Sequence, residues 1–234
     1  MAKLGEIFTF IDYRGKNPKK ASSGHRLITA KNIRMGTLIN EPIEYVSERT
    51  YQSWMTRGFP RVGDLLFVTE GHTMGFVALV NRDDEFALAQ RIITLQPPNG
   101  IASKYFFYYL MSPIGQRIVK LNATGSAAQG VKGARLRDFA APFPSLAEQI
   151  EITRKIDEMF EHIHGVEESM KMNSRYHQTR DQSILSKAFR GELVPQDPND
   201  EPAAVLLERI RAQREEAETN GMKKREKTSK KKKK

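Results

Sequence analysis

The chain has 234 residues, of which 39% are hydrophobic, with 38 Lys and Arg against 28 Asp and Glu, a formal net charge of +10, and no cysteine. That length and apolar content suit one or two domains with a packed core, and the missing cysteines exclude a disulfide framework and thiolate zinc sites and suit a reducing cytoplasm. No run approaches 18 uninterrupted apolar residues, and Met1 to Glu6 has no apolar signal core, so a soluble cytoplasmic protein without a membrane anchor is expected.

The charge is unevenly placed. Residues 1–144 hold 19 basic and 11 acidic side chains, residues 145–220 hold 10 and 16, and residues 221–234 hold 9 and 1. A folded basic segment joined to an acidic one fits a polyanion binder with a separate protein-contact element.

Residues 1–144 read as a mixed α and β domain. Val62–Val68 and Gly75–Val80 are strand-like, joined by the small and polar residues Thr69–Met74. Phe86–Leu95 gives another strand, ended by Pro97-Pro98-Asn99-Gly100. Ser103 is placed to cap a helix from Lys104 to about Lys120, with Tyr105, Tyr108, Tyr109 and Leu110 on its apolar face. Ala123–Lys132 has a loop composition.

The character changes at Pro142-Phe143-Pro144. Ser145 with Glu148 three residues on makes a capping box, and residues 145–190 predict one long helix. Its apolar positions Ile152, Ile156, Met159, Ile163, Val166 and Met170 fall at intervals of 4, 3, 4, 3 and 4, the rhythm of a coiled-coil seam. The phase reaches Ile184 through the polar Asn173, His177 and Arg180. A helix of that span is about 67 Å long, and so narrow a stripe needs a second helix. Residues 191–220 read as a proline-marked linker and a short amphipathic helix from Glu201 to about Glu218, and residues 221–234 as a disordered basic tail.

No catalytic apparatus is legible. Gly125–Lys132 superficially resembles a phosphate-binding loop, but its lysine is one place late and no Ser or Thr follows. His162 and His164 point in different directions on a helix, and there is no His-Glu-x-x-His arrangement. Asp197-Pro198-Asn199-Asp200 lacks the aromatic residue of a DNA methyltransferase turn. The expectation is a protein with no catalytic residues, no metal and no cofactor of its own.

Phe143-Pro144-Ser145-Leu146-Ala147-Glu148-Gln149, entering a long helix, resembles the junction of type I restriction-modification specificity subunits. Ser183–Val194 is similar to that family's distal spacer motif, Glu201–Ile210 to its C-terminal end, and Gly63–Phe67 with Ala89-Gln90-Arg91 to its recognition-domain framework. The resemblance covers nearly the whole chain except the lysine tail. It implies an α+β target-recognition domain followed by a long α-helix that pairs in an antiparallel coiled coil. It also implies binding to double-stranded DNA, to modification subunits that use S-adenosylmethionine, and to an ATP-driven restriction subunit. Family members usually carry two recognition domains and two spacers, whereas this chain has one of each. A half-length chain would pair with a second half-subunit or with itself to read a bipartite target. Two other readings stay open: a non-catalytic DNA-binding regulator on the same scaffold, and a coiled-coil assembly protein whose basic domain binds something else, such as RNA.

Three groups are candidates for DNA contact. Residues 1–34 carry 8 basic against 2 acidic side chains, among them Lys16, Lys19, Lys20, His25, Arg26, Lys31 and Arg34; the alternative is a solvated basic surface. Glu70, His72 and Thr73 lie between two strands. Thr124, Ser126, Gln129, Lys132 and Arg135 follow the helix, and there Gln and Arg have the donors to read adenine and guanine edges; loop capping is the alternative for Thr124 and Ser126. Gln90 and Arg91 are read as bracing the domain. Trp54, Phe59, Tyr105, Phe106 and Phe107 are read as core rather than base-stacking residues. The helix-pairing candidates are Ile152, Ile156, Met159, Ile163, Val166, Met170 and Ile184.

Overall fold

The computed structural model describes residues 1–125, 129–195 and 197–231, with residues 175, 178, 179 and 220–231 described as backbone. It divides into two compact units, Met1–Ile163 and His164–Lys234. In chain order the elements are β1 (Ala2–Lys3), α1 (Leu4–Ile7), β2 (Thr9–Asp12), β3 (Lys20–Ala21), β4 (His25–Ile28), β5 (Ile33–Arg34), β6 (Thr37–Leu38), β7 (Tyr45–Val46), α2 (Glu48–Trp54), β8 (Leu65–Val68), β9 (Val77–Leu79), β10 (Phe86–Leu88), β11 (Ile92–Gln96), α3 (Ser103–Met111), α4 (Pro113–Leu121), α5 (Gly133–Arg137), β12 (Ala140–Ala141), α6 (Leu146–Phe189) and α7 (Ala203–Lys231).

Two four-stranded sheets organise the first unit. One has the order β2-β11-β8-β9, antiparallel throughout; the other runs β10-β4-β7-β3, with β4 and β10 parallel. Side chains alternate across a strand, and β8 shows the consequence. Leu65 and Phe67 enter one core with α1, α3, α4 and α5, while Leu66 and Val68 enter a second core between the sheets. Burial on both faces explains why β8 reads as a continuous apolar run rather than an alternating one. β1 pairs with β12, and Leu4 N–H donates to Phe139 O at 2.9 Å, which returns the chain to its start just before α6.

Three expectations need correction in the first unit. Phe86–Leu95 is not one strand. Phe86–Leu88 pairs with β4, Ile92–Gln96 pairs with β2 and β8, and Ala89-Gln90-Arg91 crosses between the sheets. Nor is there one helix from Lys104 to Lys120. Pro113 has no N–H to continue α3; it starts α4 at the favoured first position, where the Ser112 hydroxyl accepts the Gly115 N–H at 3.1 Å. Ser103 is not the cap of α3; Ala102 holds that place, its N–H satisfied by Gln149 Oε1 at 3.1 Å.

In the second unit α6 ends at Phe189. Gly191, at φ 75°, turns the chain as its N–H donates to Ala188 O at 3.1 Å and that of Glu192 to Lys187 O at 2.9 Å. α7 starts near Glu201 as expected but continues to Lys231, whereas the sequence suggested a structureless segment from Met222. The Glu, Lys and Arg of this segment are good helix formers. Residues 232–234 of the expected tail lie outside the described residues. Among the described residues no helix is long and apolar enough to cross a membrane.

Candidate nucleic-acid interface

β4 and β10 run parallel and end together: Ile28 is in register with Leu88, and Ala89 N–H donates to Ile28 O at 2.9 Å. The two chains leave this edge side by side. After β4, Thr29 caps a single 3₁₀ turn by accepting the Lys31 N–H at 3.3 Å, and Lys31 stands exposed. After β10 come Gln90 and Arg91. Asn17, Lys20, Thr29, Lys31, Gln90 and Arg91 line a cleft of about 190 Å³. Lys20 is paired there with Glu44 at 2.8 Å.

Arg91 carries the surface onward. Its carbonyl accepts the Thr69 N–H at 2.9 Å and its guanidinium lies 3.5 Å from Glu70. Thr69 O accepts the Val131 N–H at 2.7 Å, and Gly71 N–H donates to Gln129 O at 3.2 Å. Isolated bridges join Glu70 and Thr124 to Gly130. The second and third candidate groups, more than fifty residues apart in sequence, therefore form one double loop. His72, Thr124 and Gln129 are exposed on it and Thr73 is half-buried. Ser126 lies outside the described residues.

Beyond Val131 the exposed Lys132 leads into α5. A Cβ at Gly133 would meet Arg14 Nη2 at 2.5 Å, so the start of α5 lies against the Asp12–Arg14 pair. That pair is bidentate, at 2.6 to 3.0 Å. Burial pushes the Asp12 carboxyl up, but hydrogen bonds from Arg14 and the charges of Arg14 and Arg57 outweigh it and hold the group below its ordinary value. Tyr13, Arg14, Lys16, Trp54 and Arg57 line a second cleft, of about 440 Å³. Trp54 stacks on Tyr13 at 5.8 Å and donates to Leu88 O at 2.9 Å, and Arg57 lies over the Tyr13 ring.

The rim thus joins Lys16, Lys20, Lys31, Arg91 and Lys132 with Arg14 and Arg57. The acids Asp12, Glu44 and Glu70 on it are each paired with a cation. The sequence pattern gives Arg14, Asn17 and Arg57 no mark as contact residues, and it places Gln90 and Arg91 on a strand-like run. The missing signal is the crossing between sheets, which turns a strand-like run into an exposed corner.

The other candidates do not line either cleft. His25, at the opposite end of β4, stacks on Tyr51 at 3.9 Å with Glu48 at 2.6 Å from Nε2 and Glu85 at 3.8 Å from Nδ1. Arg26 donates to Asn40 O at 2.6 Å and lies over Tyr45. Arg34 donates to Lys31 O at 2.8 Å from the β5–β6 hairpin. Lys19 and Arg135 are exposed, Arg135 on α5. Of the aromatic candidates, Tyr105, Phe106 and Phe107 are core, and Phe59 is half-exposed. Among the described residues no group of three or more acidic or histidine side chains is placed to hold a metal ion.

The helix-pairing candidates divide within each unit. In the first, Ile152 packs against the chain's own core, which removes it from the expected stripe; Ile156 is half-buried, and Met159 and Ile163 are exposed. The reason is that the first turns of α6 lie on α3. In the second, Val166, Met170 and Ile184 are exposed.

Residues 1–169 match the family described as the type I restriction modification DNA specificity domain. The chain is 25% identical over 211 residues to the EcoKI specificity subunit of Escherichia coli K12, covering 84% of this chain and 45% of that protein. It is 30% identical over 163 residues to the EcoBI specificity subunit of Escherichia coli, covering 66% and 34%. The fold is similar to that of the HsdS subunit from Thermoanaerobacter tengcongensis, with a TM-score of 0.57 at 19% identity over 82% of this chain and 45% of that one. The chain spans less than half the length of each of these relatives.

Proposed function

We propose, for a chain that belongs to the family of type I restriction-modification DNA specificity domains, that it is a non-catalytic recognition half of a specificity subunit, reading one half of a bipartite duplex DNA target. The observation that carries this is the rim at the ends of β4, β8 and β10. Seven cations lie along it with three paired acids, and polar side chains with base-reading chemistry stand between them. Phosphate neutralisation supplies affinity and register. Gln90, Gln129 and His72 supply donors and acceptors for base edges.

The chain would act with modification subunits that bring S-adenosylmethionine and, in a restriction complex, with an ATP-driven restriction subunit. Its second recognition domain would come from another half-subunit or a second copy, through α6. Supporting this are the shared domain of the EcoKI and EcoBI relatives and the exposed apolar positions from Met159 to Met170.

The test is selection of duplexes from a random pool by the full chain and by a chain lacking residues 222–234. A lysine-rich segment attracts phosphates but reads no bases. Both forms are expected to enrich the same short sequence, the truncated one with weaker overall binding. Enrichment of nothing by either form, or of RNA over duplex DNA, would overturn the proposal. Methylation of the enriched sequence after adding modification subunits separates a specificity subunit from a regulator on the same scaffold.

A further inference from the structure

The larger of the two clefts on the rim has aromatic rings in its wall. Trp54 is the only tryptophan of the chain; it ends α2 and is half-buried. Two contacts fix its plane. One is the buried Tyr13 ring, at 5.8 Å and 30°; the other is the hydrogen bond that Nε1 donates to Leu88 O at 2.9 Å. Tyr13 is held in turn, its hydroxyl donating to Gly58 O at 2.8 Å and accepting the Arg57 N–H at 2.7 Å. A tryptophan that served the core alone would be covered all round, whereas what remains open of Trp54 lines the cleft.

Cations surround the ring. Arg14, Lys16 and Arg57 line the cleft, and among the described residues no acid does. Asp12 holds the Arg14 guanidinium through its bidentate pair. Arg57 donates to Asp12 O and lies over Tyr13, so two planar cations are fixed beside two rings. Lys16 is exposed. Between Arg14 and Lys16, Gly15 has φ 118°, and a Cβ there would meet nothing within 4 Å, so the wall is open at that point. The cleft volume, about 440 Å³, falls in the range of small-molecule sites. A ring face beside fixed guanidinium and ammonium groups is complementary to a planar heterocycle that carries an anionic group. An aliphatic or cationic ligand would use neither feature.

We infer that the Trp54 cleft is a nucleotide site, in which Trp54 stacks the base and Lys16 and Arg57 take the phosphate. Two sources carry that chemistry: a nucleotide that has left the stack of bound DNA, and a free mononucleotide. The first rests on the reading of the rim as a DNA surface, since Lys16 and Arg57 belong to both. Bases of a paired duplex cover one another's faces, so the cleft takes only a nucleotide outside the stack, and an unpaired one leaves it at least cost. Every base has a π-face, so stacking here is tolerant of base identity. The site therefore adds affinity for an unpaired position, whereas the edge-reading amides of Gln90 and Gln129 add sequence.

The test titrates the full chain with a paired duplex carrying the selected half-site, with the same duplex bearing one unpaired thymidine at successive flanking positions, and with dTMP. Trp54 emission reports occupancy of the cleft, since no other tryptophan contributes, and anisotropy of labelled DNA reports affinity. At one position of the bulge, wild type is expected to bind about tenfold more tightly than to the paired duplex, the effect of one stacked base, with its emission quenched. Trp54→Leu and Arg57→Gln are expected to lose that preference. Lys31→Gln, in the other cleft, is expected to weaken both duplexes equally and keep it. Thermal unfolding accompanies each variant. Should Trp54→Leu unfold, Ser53→Phe, exposed on the cleft wall, fills the space and leaves the Trp54 hydrogen bond in place. Quenching by dTMP without a bulge preference would keep the nucleotide site and assign it a free ligand. Paired-duplex binding with neither a bulge preference nor quenching by dTMP would overturn the site and leave the DNA-reading function standing, as would a bulge preference that survives in folded Ser53→Phe and Arg57→Gln. Quenching by dTMP in a chain that binds no duplex would do the reverse.

Discussion

Gln149 completes a helix that it does not belong to: its side-chain oxygen accepts the backbone N–H of Ala102, the residue before α3. Helix starts leave N–H groups without intrahelical partners, and here an amide from another helix takes one. Gln149→Leu keeps the size and removes both hydrogen bonds, leaving the Ala102 N–H and Pro144 O facing an apolar side chain. The expected cost is about 1–3 kcal/mol, read as a lower urea midpoint with an unchanged m-value. A midpoint equal to wild type would show that water replaces the amide.

The basic rim predicts which cations answer to salt. Lys31→Gln, Arg91→Gln and Lys132→Gln should each weaken duplex binding across all sequences and reduce the slope of log K against log salt by about 0.9 per lost phosphate contact. His25→Gln and Arg34→Gln should leave the slope unchanged. The first is enclosed by Tyr51, Glu48 and Glu85, and the second is turned back onto Lys31 O. Fluorescence anisotropy across a salt series separates the two sets, and equal slopes for all five variants would remove the rim as the DNA surface.

The sequence made the strands at 65–68 and 77–79 legible because burial on both faces leaves continuous apolar runs between turn residues. The long helix was legible from its heptad rhythm and capping box. What it hid follows from tertiary placement. Nothing local distinguishes Ile152, which faces its own core, from Ile163, which does not, since both sit at seam positions. The loops around Glu70 and Gln129 were each recognised as loops, but their union depends on Val131 pairing with Thr69, a contact without local signature. His25 and Lys20 contribute similar basic character to a composition count and both lie opposite Val46 in the sheet; what separates them is tertiary, since Lys20 reaches Glu44 and the cleft while His25 is enclosed by Tyr51, Glu48 and Glu85. Pro113 after Ser112 is itself a start signal for a new helix.

Asp157 gives a pH dependence with a definite sign. Burial pushes its carboxyl up, but hydrogen bonds from Lys104 Nζ, at 2.7 Å, and from the Tyr108 hydroxyl outweigh it and hold the folded-state pKa below the unfolded value, so ionised Asp157 favours the fold. This contribution is complete above the unfolded pKa of about 3.9 and is lost as pH falls through the lower folded value. The difference in thermal stability between wild type and Asp157→Asn should therefore be constant from about pH 7 to pH 5 and shrink below about pH 4. A difference that persists unchanged to the lowest pH at which both remain folded would show that the variant acts through packing rather than through charge.

The exposed apolar positions of α6 should drive assembly. Met159, Ile163, Val166 and Met170 are 66%, 53%, 60% and 67% exposed. Covering what remains open on each is worth on the order of 1–2 kcal/mol, enough together to hold two helices. Ile152 belongs to the domain core, so a substitution there would confuse unfolding with loss of pairing. Ile163 and Met170, a heptad apart, avoid that difficulty. Ile163→Asp with Met170→Asp should convert an associated wild type to monomers in sedimentation velocity, with isolated half-site binding and the recognition domain's thermal transition unchanged. Antiparallel pairing of two copies would give two-fold symmetry, so the selected target should be an inverted repeat, and the double variant should bind its half-sites independently. If the double variant sediments as wild type does and still requires both half-sites, the stripe is not the joint between recognition domains.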